Sequence, residues 1–185
     1  MKKYLVLLIP LLFLMAQCHK TPTPDPEPDL PPATQEGKGT IGCYINGKPW
    51  WPKPYFVVGG DSYLKVAFNP FDNRFYLQSI KYTKANGDES LMSLTVKKLT
   101  LGDNVIDTIR KVGGGWSLFQ DYTVKDINKC SVFEIDTMNE RRLTITRLDT
   151  NTTRLNVVSG TFEFTAYNKC GDILKFTKGR FDTTF

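Results

Sequence analysis

The sequence predicts an all-β domain, either an antiparallel β-sandwich or a flattened barrel of about eight to ten strands with little helix. Apolar side chains recur at every second position, as at Met92, Leu94 and Val96, which is the period of a half-buried strand. Turn signals rich in Asn, Gly and Asp separate these runs. In the last two strands the apolar alternation also changes phase, which is typical of long strands that bend.

The first strands are expected around a tight turn. Residues 39–45 form a strand candidate, and Asn46-Gly47 predicts a type I′ hairpin turn because both central positions need positive φ. The chain then returns through residues 48–52, where Pro49 and Pro52 lack the N–H donors of a ladder. This segment is therefore expected at a sheet edge or outside the sheet.

The middle of the chain is predicted to contain several strands. They are expected at residues 63–68, 74–83, 105–109 and 116–119. Turns are expected between strands at residues 69–73, 85–88 and 102–104, with a glycine loop at 113–115. Residues 89–99 are compatible with a helix, but the period of two and the presence of Thr95 and Val96 favour a strand.

The C-terminal half carries the clearest strand pattern. Residues 132–135 and 143–148 are predicted strands, joined across residues 138–140. In the next strand the apolar positions change from odd to even at Ser159-Gly160, and in the last strand they change from even to odd at Gly179. Each change implies a bulge or a sharp bend, because a slip of one residue turns every side chain to the other face.

These last two strands are expected to pair as one long hairpin. The expected register pairs Tyr167 with Ile173, Phe164 with Phe176, and Gly160 with Arg180. Both strands would then bend at the same level, beside Gly179, as strands do where they cross between sheets or turn a barrel corner.

Residues 1–17 are expected to be a signal peptide. Lys2 and Lys3 precede an apolar run of about 13 residues, which rises only ~20 Å as a helix and is too short to span a bilayer. The following Met-Ala-Gln-Cys at 15–18 resembles the lipobox of bacterial lipoproteins, in which the Cys is lipidated and becomes the mature N-terminus. This resemblance implies that Cys18 anchors the chain on a membrane. An ordinary secretory signal with an incidental Cys is the alternative.

Residues 18–36 are expected to be a spacer. Between residues 21 and 33 nearly every second residue is Pro, which favours extended polyproline II. A Pro-rich ligand for a partner domain is the alternative. A single domain is then expected at residues 37–185, held at the outer membrane of the bacterial cell envelope and facing either side.

Charge and histidine content exclude several functions. The formal charge of +5 becomes +3 when Lys2 and Lys3 are removed, and the remaining cations are scattered among acids, which does not suit nucleic acid. The only histidine is His19, beside the expected anchor. The domain therefore cannot build a Ser-His-Asp or Cys-His apparatus or a zinc site with His ligands. No cofactor and no metal site are predicted.

Three cysteines remain for the domain after Cys18. They are Cys43, Cys130 and Cys170. An oxidising compartment permits one disulfide among them, with three possible pairings, and we favour Cys130 with Cys170.

Two groups of motifs resemble a known set of proteins. GCYINGKPWWP at residues 42–52 opens the domain, and SGTFEFTAYN at 159–168 with GRFD at 179–182 closes it. This combination resembles a family of uncharacterised Bacteroidetes lipoproteins. The resemblance implies an envelope lipoprotein with a β-rich domain, and it carries no functional residues because the family has no assigned activity.

The first hypothesis for function is a binding module for a glycan or envelope polymer. Trp50, Trp51 and Trp116 would be stacking platforms, since exposed aromatic faces suit sugar rings. The alternative for each is a place in the core or over a sheet edge. No catalytic residue is assigned on this hypothesis.

Two further hypotheses remain open. A structural or assembly lipoprotein would contact another envelope protein through a strand edge or an apolar patch. A carboxylate hydrolase would need two acids roughly 5 to 9.5 Å apart, and the candidates are Asp61, Glu134, Asp136 and Asp182. The acidic segments 103–104 and 149–151 lack the pattern of a calcium loop and are expected to be turns.

Overall fold

The computed structural model describes residues 29–52, 63–69, 71, 73–83, 87–108, 117–124, 130–149 and 156–185. Strands dominate these residues, and the all-β antiparallel prediction is confirmed. Among the described residues, no helix has the length and apolar character needed to cross a membrane.

The described residues contain eleven strands, one more than the upper end of the predicted range. They are β1 (Thr40–Ile45), β2 (Lys48–Trp50), β3 (Leu64–Asn69), β4 (Arg74–Thr83), β5 (Gly87–Val96), β6 (Gly102–Val105), β7 (Leu118–Asp121), β8 (Val132–Ile135), β9 (Arg142–Leu148), β10 (Val157–Tyr167) and β11 (Ile173–Thr184). The expected hairpin turn joins β1 to β2, since Asn46 and Gly47 have φ of 48° and 77°.

All eleven strands belong to one antiparallel sheet. Its main path runs in the order β2-β1-β11-β10-β8-β7-β5-β4-β3. The long strand β10 forks the sheet, because residues 158–163 pair with β9 while Ala166 and Tyr167 pair with β8. Strand β6 extends the β9 branch. The expectation that residues 48–52 lie at an edge is confirmed, since β2 ends the path.

The sheet curls around its apolar face. Phe75 on β4 packs against Phe181 on β11, with ring centroids 6.1 Å apart, although four strands separate the two in the sheet. Phe68 on β3 likewise packs against Phe185 after the last strand, at 5.7 Å. One core fills the curl, with Phe75, Phe162 and Phe176 among its largest fully buried side chains.

The β10–β11 hairpin bends where the change of phase indicated. Tyr167 faces Ile173 and Phe164 faces Phe176, as predicted, but Gly160 faces Phe181 rather than Arg180. The prediction was wrong by one residue because β11 carries an extra residue before Gly179, where Lys178 has φ of 51°.

Two glycines allow the strands to approach at this bend. A Cβ on Gly179 would lie 2.4 Å from the ring of Phe162, and a Cβ on Gly160 would lie 2.4 Å from the carbonyl oxygen of Thr144. Any larger residue would push the core ring or the neighbouring strand away.

Two local predictions were wrong. Residues 102–104 were expected to be a turn and instead begin β6, which pairs with β9 from Gly102 to Val105. The turn lies earlier, where Lys98 has φ of 54°. The side chain of Asn104 holds this turn, accepting from the Thr100 N–H at 3.0 Å and donating to the Gly102 carbonyl at 2.7 Å.

The second correction concerns the start of the domain, which was expected at residue 37. Residues 29–38, which we call the strap, already pack on the sheet. Leu30 is buried, and Thr34 and Gly37 hydrogen-bond to Asp182 on β11. The last residues of the expected spacer therefore belong to the fold.

Candidate functional site

A groove with aromatic and proline walls lies beside the strap. Its volume is about 420 Å³, within the range of ~300–1,000 Å³ that small-ligand sites occupy. The described residues that line it are Asp29, Leu30, Pro31, Thr40, Ile41, Trp51, Pro52 and Tyr63. Asp29 is the only charged residue in this set, so the described walls are mainly apolar with one acidic group.

One wall of the groove contains Trp51, Pro52 and Tyr63. The chain leaves the sheet after Trp50, because Pro52 has no N–H to continue the ladder of β2. Tyr63 precedes β3, and its hydroxyl donates to the carbonyl oxygen of Gly39 at 2.7 Å. Trp51 and Tyr63 are both half-buried. Two aromatic residues thus line the groove while remaining partly accessible.

The strap forms the opposite wall through Asp29, Leu30 and Pro31. Pro31 lies directly on β1, since a Cβ placed on Gly42 would meet the Pro31 ring at 2.7 Å and Trp51 Cβ at 3.2 Å. Gly42 therefore lets the two walls approach each other over the strand. This close approach gives a physical reason for the first glycine, Gly42, of the GCYINGKPWWP segment.

A buried carboxylate holds the other end of the strap. Asp182 is 1 % exposed. It accepts five hydrogen bonds, from Thr34 Oγ1 (2.5 Å), Ser159 Oγ (2.6 Å) and the backbone N–H groups of Gly37 (2.8 Å), Glu36 (3.0 Å) and Lys38 (3.2 Å). Burial alone would raise the pKa of Asp182, but donors led by the Ser159 and Thr34 hydroxyls lower it to about 2. The ionised carboxylate of Asp182 therefore stabilises the fold by holding the strap on the sheet.

Trp50 is not a stacking platform, contrary to the sequence-based hypothesis. Its side chain is 5 % exposed and packs edge-on against Phe119, with centroids 6.0 Å apart. Its Nε1–H donates to Ser90 Oγ at 2.8 Å. Trp51, the next residue, is only half-buried and lies over Gly42 of β1. Trp116 lies outside the described residues.

Asp182 and Glu134 lie at different levels of the sheet. Asp182 is opposite Ser159 on β10, whereas Glu134 is opposite Tyr167, eight residues further along the same strand, which corresponds to about 26 Å of strand length. Asp61 lies outside the described residues.

Asp136 is occupied by the turn that follows β8. Its carboxylate accepts from the Met138 N–H at 2.8 Å and from Asn139 Nδ2 at 2.6 Å, and these two bonds lower its pKa. A general acid in glycoside hydrolysis needs a raised pKa. The environment of Asp136 therefore acts in the wrong direction for that role.

The acidic segments considered for calcium serve local structure. Asp103 accepts from Thr144 Oγ1 at 2.5 Å, and Asp149 pairs with Arg147 at 2.6 Å. Across the ranges given above, no three His, Cys, Asp or Glu side chains are close enough to hold a metal ion.

Cys130 and Cys170 form a disulfide, which is the pairing favoured from the sequence. The bond joins Cys130, two residues before β8, to the β10–β11 loop. Asn168 supports it by donating to the Cys130 carbonyl at 2.8 Å and accepting from the Cys170 N–H at 3.0 Å. Cys43 is a free, fully buried thiol whose pKa is raised by burial. Cys18 lies outside the described residues.

Sequence reasoning missed most of the groove. The sequence pattern places Tyr63 in a strand, and it places Asp29 and Pro31 in the spacer. One signal was available, since Leu30 is the only large apolar residue of the Pro-rich segment and it is buried at the groove.

Comparisons of the chain with protein families, with curated proteins and with solved structures found no match.

Proposed function

We propose that this chain is a lipid-anchored protein of the bacterial cell envelope, at the outer membrane, that binds a glycan or envelope polymer without catalysing a reaction. The observation that carries the proposal is the groove lined by Trp51 and Tyr63. Anchoring at Cys18 is supported by the N-terminal sequence alone.

The groove suits a sugar for two physical reasons. Sugar rings present apolar C–H faces, which pack on aromatic surfaces, while their hydroxyls need polar groups such as Asp29 and Thr40 in the lining. Pro31 and Pro52 restrict the backbone of both walls, so little conformational entropy is lost when a ligand binds.

A glycan array tests the binding proposal directly. The purified full chain in mild detergent is compared with Trp51→Ala and with the control Phe71→Ala, which removes a 98 % exposed aromatic outside the groove. We expect Trp51→Ala to weaken binding about 30-fold, since truncating a central Trp costs ~2 kcal/mol. Phe71→Ala should bind as the unmodified chain does. Equal binding by all three proteins would refute the role of the groove.

Lipidation is tested separately. Cells that express the chain or its Cys18→Ala variant are grown with labelled fatty acid and fractionated. We expect the label and the membrane association to be lost in the variant. An unlabelled parent chain would show that Cys18 is not an anchor.

A second candidate function is assembly with another envelope protein, and β6 favours it. This short strand pairs with β9 along one edge. Among the described strands, none pairs with its other edge, and the nearest ladder contact there is the isolated bridge between Val96 and Ile106, one residue after β6 ends. Leu101 and Val105, before and at the end of β6, are 67 % and 64 % exposed. Cross-linking from position 105 in intact cells would identify a partner, and the absence of any cross-linked protein would contradict this function.

A further inference from the structure

The two ends of the strap contact different parts of the molecule. Its first residues, Asp29 to Pro31, form a wall of the groove, and its last residues, 34–38, are bound to the sheet. The same ten-residue segment therefore belongs to the site and to the anchoring cluster around Asp182. Whatever fixes one end of the strap limits where the other end can lie.

Asp182 makes most of the polar attachments that the structure shows for the strap. Four of its five hydrogen-bond donors belong to residues 34–38, and the fifth is Ser159 on the neighbouring strand. Three of the four are consecutive backbone N–H groups, which would be left without acceptors if the carboxylate were removed. Arg147 adds one contact by donating to the Gln35 carbonyl.

This end of the strap packs closely on the sheet. Gly37 has φ of 75°, and a Cβ there would meet Thr184 Cγ2 at 2.6 Å and Val157 Cγ2 at 3.3 Å. Its backbone thus lies directly on β10 and β11, within reach of Asp182. The groove end depends on weaker contacts, chiefly burial of Leu30 and packing of Pro31 over Gly42.

We infer that Asp182 is a positioning residue for the groove: it holds the strap in place, and the strap supplies the wall against which the ligand packs beside Trp51. The inference rests on the proposed glycan binding. It adds that binding depends on a residue on β11 that does not line the groove. Loss of the carboxylate should free residues 34–38 first and then loosen the wall at 29–31.

The test compares Asp182→Asn with Asp136→Asn in the full chain. The control makes the same chemical change at an exposed turn after β8. An amide keeps one acceptor and adds an NH₂ donor that would face the backbone N–H groups of the strap. Hydrogen exchange at Glu36, Gly37 and Lys38 reports the strap, and glycan affinity reports the site.

We expect Asp182→Asn to speed exchange of these three amides at least tenfold and to weaken glycan binding at least tenfold, with neither change in Asp136→Asn. Unchanged exchange would show that Asp182 does not hold the strap. Faster exchange with unchanged affinity would show that the groove does not need it. Either result overturns the inference.

A second measurement separates this inference from the proposed function. In chain labelled with 5-fluorotryptophan, the ¹⁹F resonance of Trp51 should shift in Asp182→Asn, while that of Trp50, buried in the core, should stay in place. If no glycan binds the unmodified chain, the proposed function fails, and the Trp51 resonance still decides whether Asp182 positions the wall. An unmoved Trp51 resonance would refute the inference.

A milder pair of variants covers the case in which Asp182→Asn does not fold. Thr34→Val removes one donor to the carboxylate, whereas Thr34→Ser keeps it. We expect faster strap exchange and a shifted Trp51 resonance in Thr34→Val only. The same behaviour in both variants would contradict the inference.

Discussion

The charge of Asp182 should make the unfolding free energy of the domain depend on pH, and a single substitution should remove this dependence. Its pKa lies at about 2 in the folded chain, against an ordinary value of 3.8. At about 1.4 kcal/mol per pH unit, the ionised form stabilises the fold by about 2 kcal/mol. Because the folded-state pKa is the lower one, this contribution is present above about pH 4 and is lost as the pH falls toward 2.

Asp182→Asn removes this titration and leaves every other acid in place. Urea unfolding of the chain and the variant from about pH 7 to about pH 2 gives the difference in unfolding free energy at each pH. We expect this difference to shrink by about 2 kcal/mol between pH 5 and pH 2. Ser159→Ala keeps the carboxylate but removes one donor, so its pH dependence should be intermediate.

A constant difference across the whole pH range would refute the reasoning. It would mean that Asp182→Asn acts through shape and packing, and that the carboxylate gains nothing from its five donors. A difference that grows as the pH falls would mean that the folded-state pKa is raised.

Three further predictions concern other parts of the molecule. Replacing Cys130 and Cys170 together by Ser should lower the unfolding free energy in urea by about 3 to 4 kcal/mol, because the disulfide spans 40 residues; a loss below ~1 kcal/mol would contradict it. Gly179→Ala should lower it by about 1 to 3 kcal/mol, since the new Cβ would overlap the Phe162 ring, and an unchanged melting temperature would show that the bend can relax. Asp29→Asn should strengthen binding of acidic glycans relative to neutral ones on the array, because it removes the only charge among the described groove residues; an unaltered preference would show that Asp29 does not face the ligand.

The β10–β11 hairpin shows what period-2 patterns can and cannot specify. Pattern alone predicted that the strands bend near Gly160 and Gly179 and that Phe164 faces Phe176. It could not place the extra residue, because the change of phase marks a bulge only to within a residue or two. Here the bulge precedes Gly179 and includes Lys178, which has a positive φ. Lysine is not a residue type that indicates positive φ, so the sequence could not have located the bulge there.

The errors at β6 and at the strap have a common physical cause. Residues 102–104 have the composition of a turn, but pairing with β9 outweighs local preference, and the Asn104 side chain satisfies the turn before the strand. The strap likewise has the composition of a spacer, and it becomes ordered through contacts with Asp182, 144 or more residues away. Contacts that distant leave no local pattern from which the groove could be predicted.

The position of the strap also limits the reach of the domain. Ten residues lie between Cys18 and Asp29 in the groove wall, and the resulting chain of about eleven Cα–Cα steps spans at most ~40 Å. On the proposed anchoring, the groove therefore operates in a thin layer next to the lipid headgroups. A polymer that stays further from the bilayer could not be captured. The ligand to search for is one that begins at the membrane or comes down to it.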